Sequence, residues 1–146
     1  MESHDEQEKY ADAVIGEISY LCIPVDGTQC NSFCERVSPI TGEIIRHNGI
    51  DIKADFGTTV VAAWMGKVLD CGFDEQFGNY VIINHNNDVQ TFYGNCSEII
   101  VSIGDVVECG QEIALVGSTG KSTGPHLHFG VMKNREWVNP EGYFVK

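Results

Sequence analysis

The segment GSTGKSTGPHLHF, at residues 117–129, passes from a loop of glycines, serines and threonines, through a proline, into an alternation of histidines and large apolar residues. In a β-strand, side chains two residues apart share a face. His126 and His128 are therefore predicted to point one way, and Leu127 and Phe129 the other way into a core. Two imidazoles on the open face of a strand suit metal chemistry, because one can bind an ion while the other handles protons. The alternative is two partly buried histidines bonded to backbone carbonyls.

A second polar pattern lies upstream, in the segment RHNGIDI at residues 46–52. Strand parity places His47, Gly49 and Asp51 on one face and the isoleucines on the other. The glycine removes bulk from the polar face. An imidazole and a carboxylate that converge around a glycine would supply half of a zinc site. Taken alone, the pattern arises by chance in many proteins.

Length and charge bound the class of protein. The chain has 146 residues, which is typical of one domain. Its formal net charge is −12, from 9 basic and 21 acidic residues, which argues against nucleic acid or an anionic membrane surface as a partner. No apolar run is long enough to span a bilayer. Residues 1–9 have no basic and no apolar region of a signal peptide, although an expressed fragment would look the same.

Short strands separated by turn signals occupy most of the chain, with hardly any helical pattern. The predicted fold class is all-β, mainly an antiparallel sheet, in one domain over residues 20–146. Residues 1–19 are predicted to form an acidic tail or a short helix. Asn86-Asn87-Asp88 predicts a hairpin turn. Strands are predicted over residues 20–24, 46–52, 58–63, 67–69, 79–84, 89–93, 99–103, 106–107, 113–116, 126–129 and 134–138.

One internal echo is visible, because residues 57–68 and residues 104–113 both read as strand, glycine turn and strand. The second copy is similar to the hairpin of biotinyl and lipoyl carrier domains. A carrier needs an exposed hairpin lysine between characteristic neighbours such as methionines. The matching place here is Trp64-Met65-Gly66-Lys67, so a carrier function is set aside.

Six cysteines are many for this length, but no two of them form a Cys-x-x-Cys pair. Cys30 and Cys34 are close enough to pair, and they are also ordinary small residues for a β-rich chain. Structural zinc bound through cysteines is not expected. The sequence leaves the redox state of the six open.

The chain resembles the lysostaphin-type (LytM-like) zinc endopeptidases, which cut peptide bonds in bacterial peptidoglycan. The resemblance covers residues 32–143 and rests on motifs that occur in the family's order. These are Ser32-Phe33 with Arg36, Pro39-Ile40-Thr41-Gly42, His47-Asn48-Gly49-Ile50-Asp51, Gly78-Asn79-Tyr80-Val81, Gly117-Ser118-Thr119-Gly120 and His126-Leu127-His128-Phe129.

The resemblance implies one zinc ion held by His47, Asp51 and His128, with a fourth position left for water or substrate. Three protein ligands and an open position are what a catalytic zinc needs. His126 would lie beside the metal as a base or hydrogen-bond donor. The implied fold is a small antiparallel sheet with a groove, built on the duplicated hairpin of the hybrid motif.

The sequence departs from the family at Asn95, which stands in Tyr93-Gly94-Asn95-Cys96-Ser97 where active members carry a second catalytic histidine. Asparagine can donate a hydrogen bond to a developing oxyanion, but it cannot carry a proton. Loss of one oxyanion donor costs about 10²–10³ in rate, so a weakened enzyme and an inactive one are both allowed.

Two lesser departures are Cys34, where a glycine is usual, and Gly130, where an acidic residue often follows the phenylalanine. A structural role is favoured for His85 because of its place on a hairpin edge. His4 lies in the tail and is not expected to take part.

The sequence supports two functions. The first is a zinc metalloendopeptidase that cleaves cross-links or stem peptides of bacterial peptidoglycan, in the cell envelope or outside the cell, as part of an exported or membrane-anchored protein. The second is a catalytically degenerate adaptor that binds the cell wall or envelope proteins, favoured by Asn95 and the acidic charge. A cupin-like enzyme is set aside because Met132 and Lys133 stand where a glutamate would follow His128.

Overall fold

A computed structural model describes residues 21–37, 41–42, 44–86, 88–120, 122 and 124–144. The predicted all-β class is confirmed. The predicted tail or helix at residues 1–19, and His4 with it, lie outside the described residues. The elements are β1 (Thr28–Asn31), β2 (Cys34–Val37), β3 (Ile44–His47), β4 (Ile50–Lys53), β5 (Thr59–Val61), β6 (Gly66–Asp74), β7 (Gly78–Asn84), β8 (Val89–Ile99), β9 (Val106–Val107), β10 (Glu112–Val116), β11 (His126–Lys133), β12 (Glu136–Val138) and a 3₁₀ helix (Pro140–Tyr143).

The main sheet has the strand order β1-β4-β11-β8-β7-β6-β9, and each neighbouring pair is antiparallel. β12 pairs with β11 at the other end of the histidine strand. β2 and β3 form a separate two-stranded sheet that leads the chain into β4. β11 therefore lies between β4 and β8, so residues from three distant parts of the sequence adjoin the histidine pair.

The two echoed segments are interlocked rather than side by side. β5, from the first copy, pairs with β10 of the second, and β6 of the first copy pairs with β9 of the second. Each copy thus satisfies the backbone hydrogen bonds of the other. An isolated two-stranded hairpin is at best marginally stable in water, so this exchange stabilises both copies.

The core lies on the face of the sheet opposite the histidines. Leu127 and Phe129 are fully buried, as strand parity predicted, and Ile50 and Ile52 of β4 are buried beside them. Tyr93 packs against Phe129 with ring centroids 5.3 Å apart. Burial of these side chains is the main force that fixes which face of β11 is left for chemistry.

Several predicted strand boundaries are wrong, and three of the differences remove or divide a predicted strand. β8 continues to Ile99, and no strand forms over residues 100–103, because the chain turns there around Asp105, whose carboxylate accepts from the Ser102 N–H. In the first predicted strand, residues 21–24 are described, and among them there is one isolated bridge, from Leu21 to Phe144. The predicted strand over residues 46–52 is interrupted, since β3 ends at His47 and β4 begins at Ile50.

The hairpin turn is confirmed in its described residues, where Asn86 and Asp88 have φ of 71° and 61°. Asparagine and aspartate tolerate this left-handed conformation better than most residues. Across the described part of the chain, no helix has the length and apolarity needed to cross a membrane.

Candidate metal centre

Antiparallel pairing of β4 with β11 brings a carboxylate to the histidine pair. In this register Asp51 lies opposite His128, and Lys53 lies opposite His126. Asp51 Oδ1 is 2.9 Å from His128 Nδ1 and 3.7 Å from His126 Nε2. His47, at the end of β3, completes the group with its Nε2 3.2 Å from Asp51 Oδ2. The four polar residues singled out in two separate segments of the sequence therefore meet on one face of the sheet.

Three of these side chains fit a zinc ion. One ligand atom each from His47, Asp51 and His128 lies within 4.8 Å of the others. Tetrahedral zinc binds nitrogen and oxygen at about 2.0–2.1 Å, which separates neighbouring ligand atoms by about 3.3 Å. The contact of 2.9 Å from His128 to Asp51 Oδ1 and that of 3.2 Å from His47 to Asp51 Oδ2 are each close to that separation, although they reach different oxygens of the carboxylate. Two imidazole nitrogens and one carboxylate oxygen also leave a fourth position open, as in catalytic zinc sites.

The hydrogen bonding of His47 favours a cation at this position. Its Nδ1 lies 2.8 Å from the Ser32 carbonyl oxygen. A carbonyl oxygen only accepts, so Nδ1 donates its proton there, which leaves Nε2 facing Asp51 as the nitrogen available to a metal ion. A lone pair and a carboxylate that face each other are stabilised by a metal ion between them. The Ser32 carbonyl also orients the ring, which is the usual role of the group behind a metal-bound histidine.

His126 is fixed by its other nitrogen. Its Nδ1 lies 2.9 Å from the Gly124 carbonyl oxygen and 3.1 Å from Ser122 Oγ. Donation of the Nδ1 proton to the Gly124 carbonyl leaves Nε2 as an acceptor on the side of Asp51. The backbone contact considered as an alternative to metal chemistry is thus present at His126. It is compatible with a proton-accepting role, because it fixes the tautomer that this role needs.

Asn95 lies one residue beyond Gly94, the partner of His128 in β8. Its φ is 64°, and the register of β7 with β8 shifts at this point, which marks a bulge. The Asn95 backbone N–H donates to the Phe77 carbonyl, and its side-chain Nδ2 donates to the Thr119 carbonyl at 2.8 Å. One amide hydrogen is therefore used to tie β8 to the glycine-rich loop, and one remains.

An aromatic wall, made of Phe77, Phe92 and Trp137, borders the histidine strand. Phe77 stacks on His128 with ring centroids 4.8 Å apart. Phe92 contacts both Phe77 and His128 edge to face, and Trp137 contacts Phe92 at 6.1 Å. All three aromatic side chains are half-buried. The wall places an apolar surface directly beside a candidate metal ligand.

Two glycines make room for this wall. A Cβ at Gly130 would lie 2.7 Å from the Trp137 ring, and one at Gly94 would lie 2.9 Å from the Phe92 ring. Gly130 is thus explained, since the indole covers the place where the family often carries an acidic side chain. The wall was not predicted from the sequence; its signal there is the pair of glycines, Gly94 and Gly130, on the histidine face, and strand register is needed to interpret them.

The buried His85 has a different environment. Its Nδ1 lies 2.7 Å from the Met65 carbonyl and its Nε2 lies 2.8 Å from Thr91 Oγ1. Burial lowers the pKa of His85 to about 4, so the ring is neutral at physiological pH. These contacts support the structural role that was predicted for it.

Two imidazoles and a carboxylate clustered on the face of an antiparallel sheet opposite its core form a candidate metal centre of the kind that metallopeptidases use. The chain belongs to peptidase family M23, whose family model matches residues 45–140. The predicted resemblance is confirmed by this match.

Sequence relatives agree with the assignment. The chain is 42% identical over 102 residues to the peptidoglycan DD-endopeptidase ShyB of Vibrio cholerae, a match that covers 69% of this chain and 24% of ShyB. It is 41% identical over 106 residues to an uncharacterized metalloprotease of Buchnera aphidicola, with 73% of this chain and 28% of the relative covered. The chain therefore spans about a quarter of the length of these relatives.

Solved structures agree as well. A zinc-containing peptidase from Vibrio cholerae superposes with a TM-score of 0.82 at 35% identity, over 88% of this chain and 41% of that one. The catalytic domain of lysostaphin from Staphylococcus simulans superposes with a TM-score of 0.70 at 30% identity, over 80% of this chain and 90% of that one.

Proposed function

We propose that this chain is a zinc-dependent endopeptidase domain that cleaves peptide cross-links or stem peptides of bacterial peptidoglycan, at a rate lowered by Asn95. The observation that carries the proposal is the clustering of His47, Asp51 and His128 with His126 beside them. Relatives named as peptidoglycan DD-endopeptidases support this substrate and favour a peptide bond between two residues of D configuration. The proposed place of action is the cell envelope or the outside of the cell.

In this proposal His47, Asp51 and His128 hold one zinc ion. Zinc in such a site lowers the pKa of bound water and polarises the scissile carbonyl. His126 accepts a proton at Nε2 and returns it to the leaving amine, while its Nδ1 stays bonded to the Gly124 carbonyl. The Ser32 carbonyl keeps the His47 ring in place.

Asn95 is the proposed reason for a lowered rate. The remaining N–H of its amide can donate to an oxyanion, but an amide carries no proton to or from the substrate. Among the histidines that the structure describes, His85 is enclosed in the core and His47 and His128 are candidate ligands, so His126 is the imidazole left for proton transfer. The predicted cost of the missing histidine is about 10²–10³ in rate.

The aromatic wall is the proposed apolar side of the substrate groove. Phe77 presents ring surface next to His128, and Trp137 extends this surface through its contact with Phe92, so that the methyl groups and aliphatic chains of a cross-linked peptide can lose contact with water there. This assignment separates binding from chemistry, since neither ring carries a titratable group.

A second candidate function is a non-catalytic adaptor that binds the cell wall or envelope proteins. The observation that favours it is the bond from Asn95 to the Thr119 carbonyl, which uses the side chain to hold a loop. Bound zinc does not separate the two functions, because an adaptor can retain the metal.

The experiment that separates them is release of new amino groups from purified peptidoglycan by zinc-loaded protein, with Asn95→His beside it. Asn86→His is the matched control, because Asn86 also has a positive φ but lies exposed in a hairpin turn. Cleavage by the unmodified chain that rises about 10²-fold in Asn95→His, and not in Asn86→His, supports the proposal. No cleavage by the chain or by Asn95→His, with zinc bound in both, would favour the adaptor.

A further inference from the structure

The sequence leaves the redox state of the six cysteines open, and two of them lie in contact in the folded chain. Cys22 Sγ is 2.6 Å from Cys109 Sγ, although 87 positions separate them in the sequence. Non-bonded carbon atoms rest about 3.5–4.0 Å apart, and sulfur is larger than carbon. The two sulfurs are therefore closer than independent thiols pack. The sequence indicated Cys30 and Cys34 as close neighbours, and the contact of Cys22 with Cys109 was not predicted from it.

The backbone holds both cysteines on the same short segment. The Cys22 N–H donates to the Ala63 carbonyl at 2.8 Å, and the Gly110 N–H, next to Cys109, donates to the Ala62 carbonyl at 2.9 Å. Ala62 and Ala63 are fully buried, so this segment is a rigid reference for both. The approach of the sulfurs is thus set by the fold around them and not by two flexible side chains.

We propose that Cys22 and Cys109 are a site of dithiol oxidation. They form a disulfide when an oxidant that contains a disulfide bond is present, such as an oxidised disulfide oxidoreductase or oxidised glutathione. One cysteine thiolate attacks a sulfur of the oxidant, whose other sulfur leaves as a thiolate. The second cysteine then displaces the remaining oxidant sulfur. Two thiols lose two electrons and two protons, and the oxidant becomes two thiols, so the exchange balances.

The surroundings favour the oxidised form once it exists. Burial, together with the contact to Cys22, raises the pKa of the Cys109 thiol to about 12. When a disulfide is easily reduced, its reduced form is stabilised as a thiolate. The surroundings of Cys109 give no such stabilisation.

The bond would anchor the N-terminal end of the described chain. Leu21 donates its N–H to the Tyr143 carbonyl and forms a bridge with Phe144. The disulfide would add a covalent link from the next residue to the turn between β9 and β10. It is consistent with the proposed location outside the cytoplasm, where dithiols are oxidised, but its test requires no peptidoglycan.

The bond is mapped by mass spectrometry on the full chain. The protein is treated with oxidised glutathione, denatured, alkylated with N-ethylmaleimide and cleaved after Asp and Glu without reduction. This cleavage places Cys22 in residues 18–26 and Cys109 in residues 109–112, separate from the other cysteines. A cross-linked pair of these two peptides is expected. Alkylation of both cysteines, or a link from either to a different cysteine, would overturn the proposal.

Thermal unfolding gives a second measurement. Because the bond would close a long loop, reduction of the oxidised protein with a trialkylphosphine is expected to lower Tm by on the order of 10 °C. Cys22→Ser is expected to lose this response, and Cys71→Ser, a change at another half-buried cysteine, to keep it. The proposal would be contradicted if reduction left the Tm of the unmodified protein unchanged, or if the Cys71→Ser variant lost the response.

Discussion

Acid is expected to destabilise this protein through His85, because the ring is the end of a directed chain of hydrogen bonds in the core. The Ala63 N–H donates to the Tyr93 hydroxyl at 2.9 Å, and Tyr93 contacts Thr91 Oγ1 at 2.8 Å. An N–H only donates and the Met65 carbonyl only accepts, so Tyr93 donates to Thr91 and Thr91 donates to His85 Nε2. A proton on Nε2 would have to reverse this order.

The magnitude follows from the pKa of His85, which burial lowers from 6.5 to about 4 against a smaller raising effect of the Met65 carbonyl. A histidine with a lowered folded-state pKa is protonated first in the unfolded chain, so its contribution is complete above pH 6.5 and is lost as the pH falls. Between pH 7.5 and pH 5 the free energy of unfolding should fall by about 2 kcal/mol through this residue alone, and by about 3 kcal/mol below pH 4.

The assay is urea unfolding at pH 7.5 and pH 5, in chelator, for the unmodified chain and for His85→Gln. The difference between the two pH effects isolates His85, because the other histidines contribute equally to both proteins. An NMR titration of the His85 ring in the unmodified protein gives the same answer without a substitution. Equal acid sensitivity of the two proteins, or a His85 ring that titrates near pH 6.5, would refute the reasoning.

Three further predictions concern the metal centre and its wall. Asp51→Asn should lower zinc affinity by more than about 100-fold, since it removes a ligand and not only a group behind one; full zinc stoichiometry by elemental analysis would show that the ligand assignment is wrong. Gly49→Ala should lower the free energy of unfolding in urea by about 1–3 kcal/mol, because its Cβ would collide with the Phe129 carbonyl. The matched change Gly142→Ala, where a Cβ meets nothing within 4 Å, should lower it by less than about 1 kcal/mol. Equal losses in the two variants would contradict the argument. Trp137→Ala should raise KM for soluble peptidoglycan fragments by about tenfold with kcat within a factor of about three, as expected for lost ring contact; a loss confined to kcat would remove the wall from substrate binding.

Most of the fold class and the candidate ligands could be predicted from the sequence because their signals are local. Alternation along β11 put the histidines on one face and Leu127 and Phe129 on the other, and the structure has that arrangement. The interruption at Gly49 could not be predicted, because it arises from the close approach of the Phe129 carbonyl, a contact between strands far apart in sequence. The false strand over residues 100–103 has a different origin, since its isoleucines are apolar yet Ile100 and Ile103 lie exposed in a local turn around Asp105.

The sequence by itself determined the periodicity of the strands, the residue types able to bind a metal and the substitution at Asn95, since each is a property of neighbouring residues. Only the tertiary structure decided the rest: Asp51 opposite His128, Trp137 over Gly130, Asn95 bonded to Thr119, and Cys22 against Cys109. These pairs join segments far apart in the chain, and their geometry depends on strand register. Register is set by burial of the whole core at once, so no single stretch of sequence contains it.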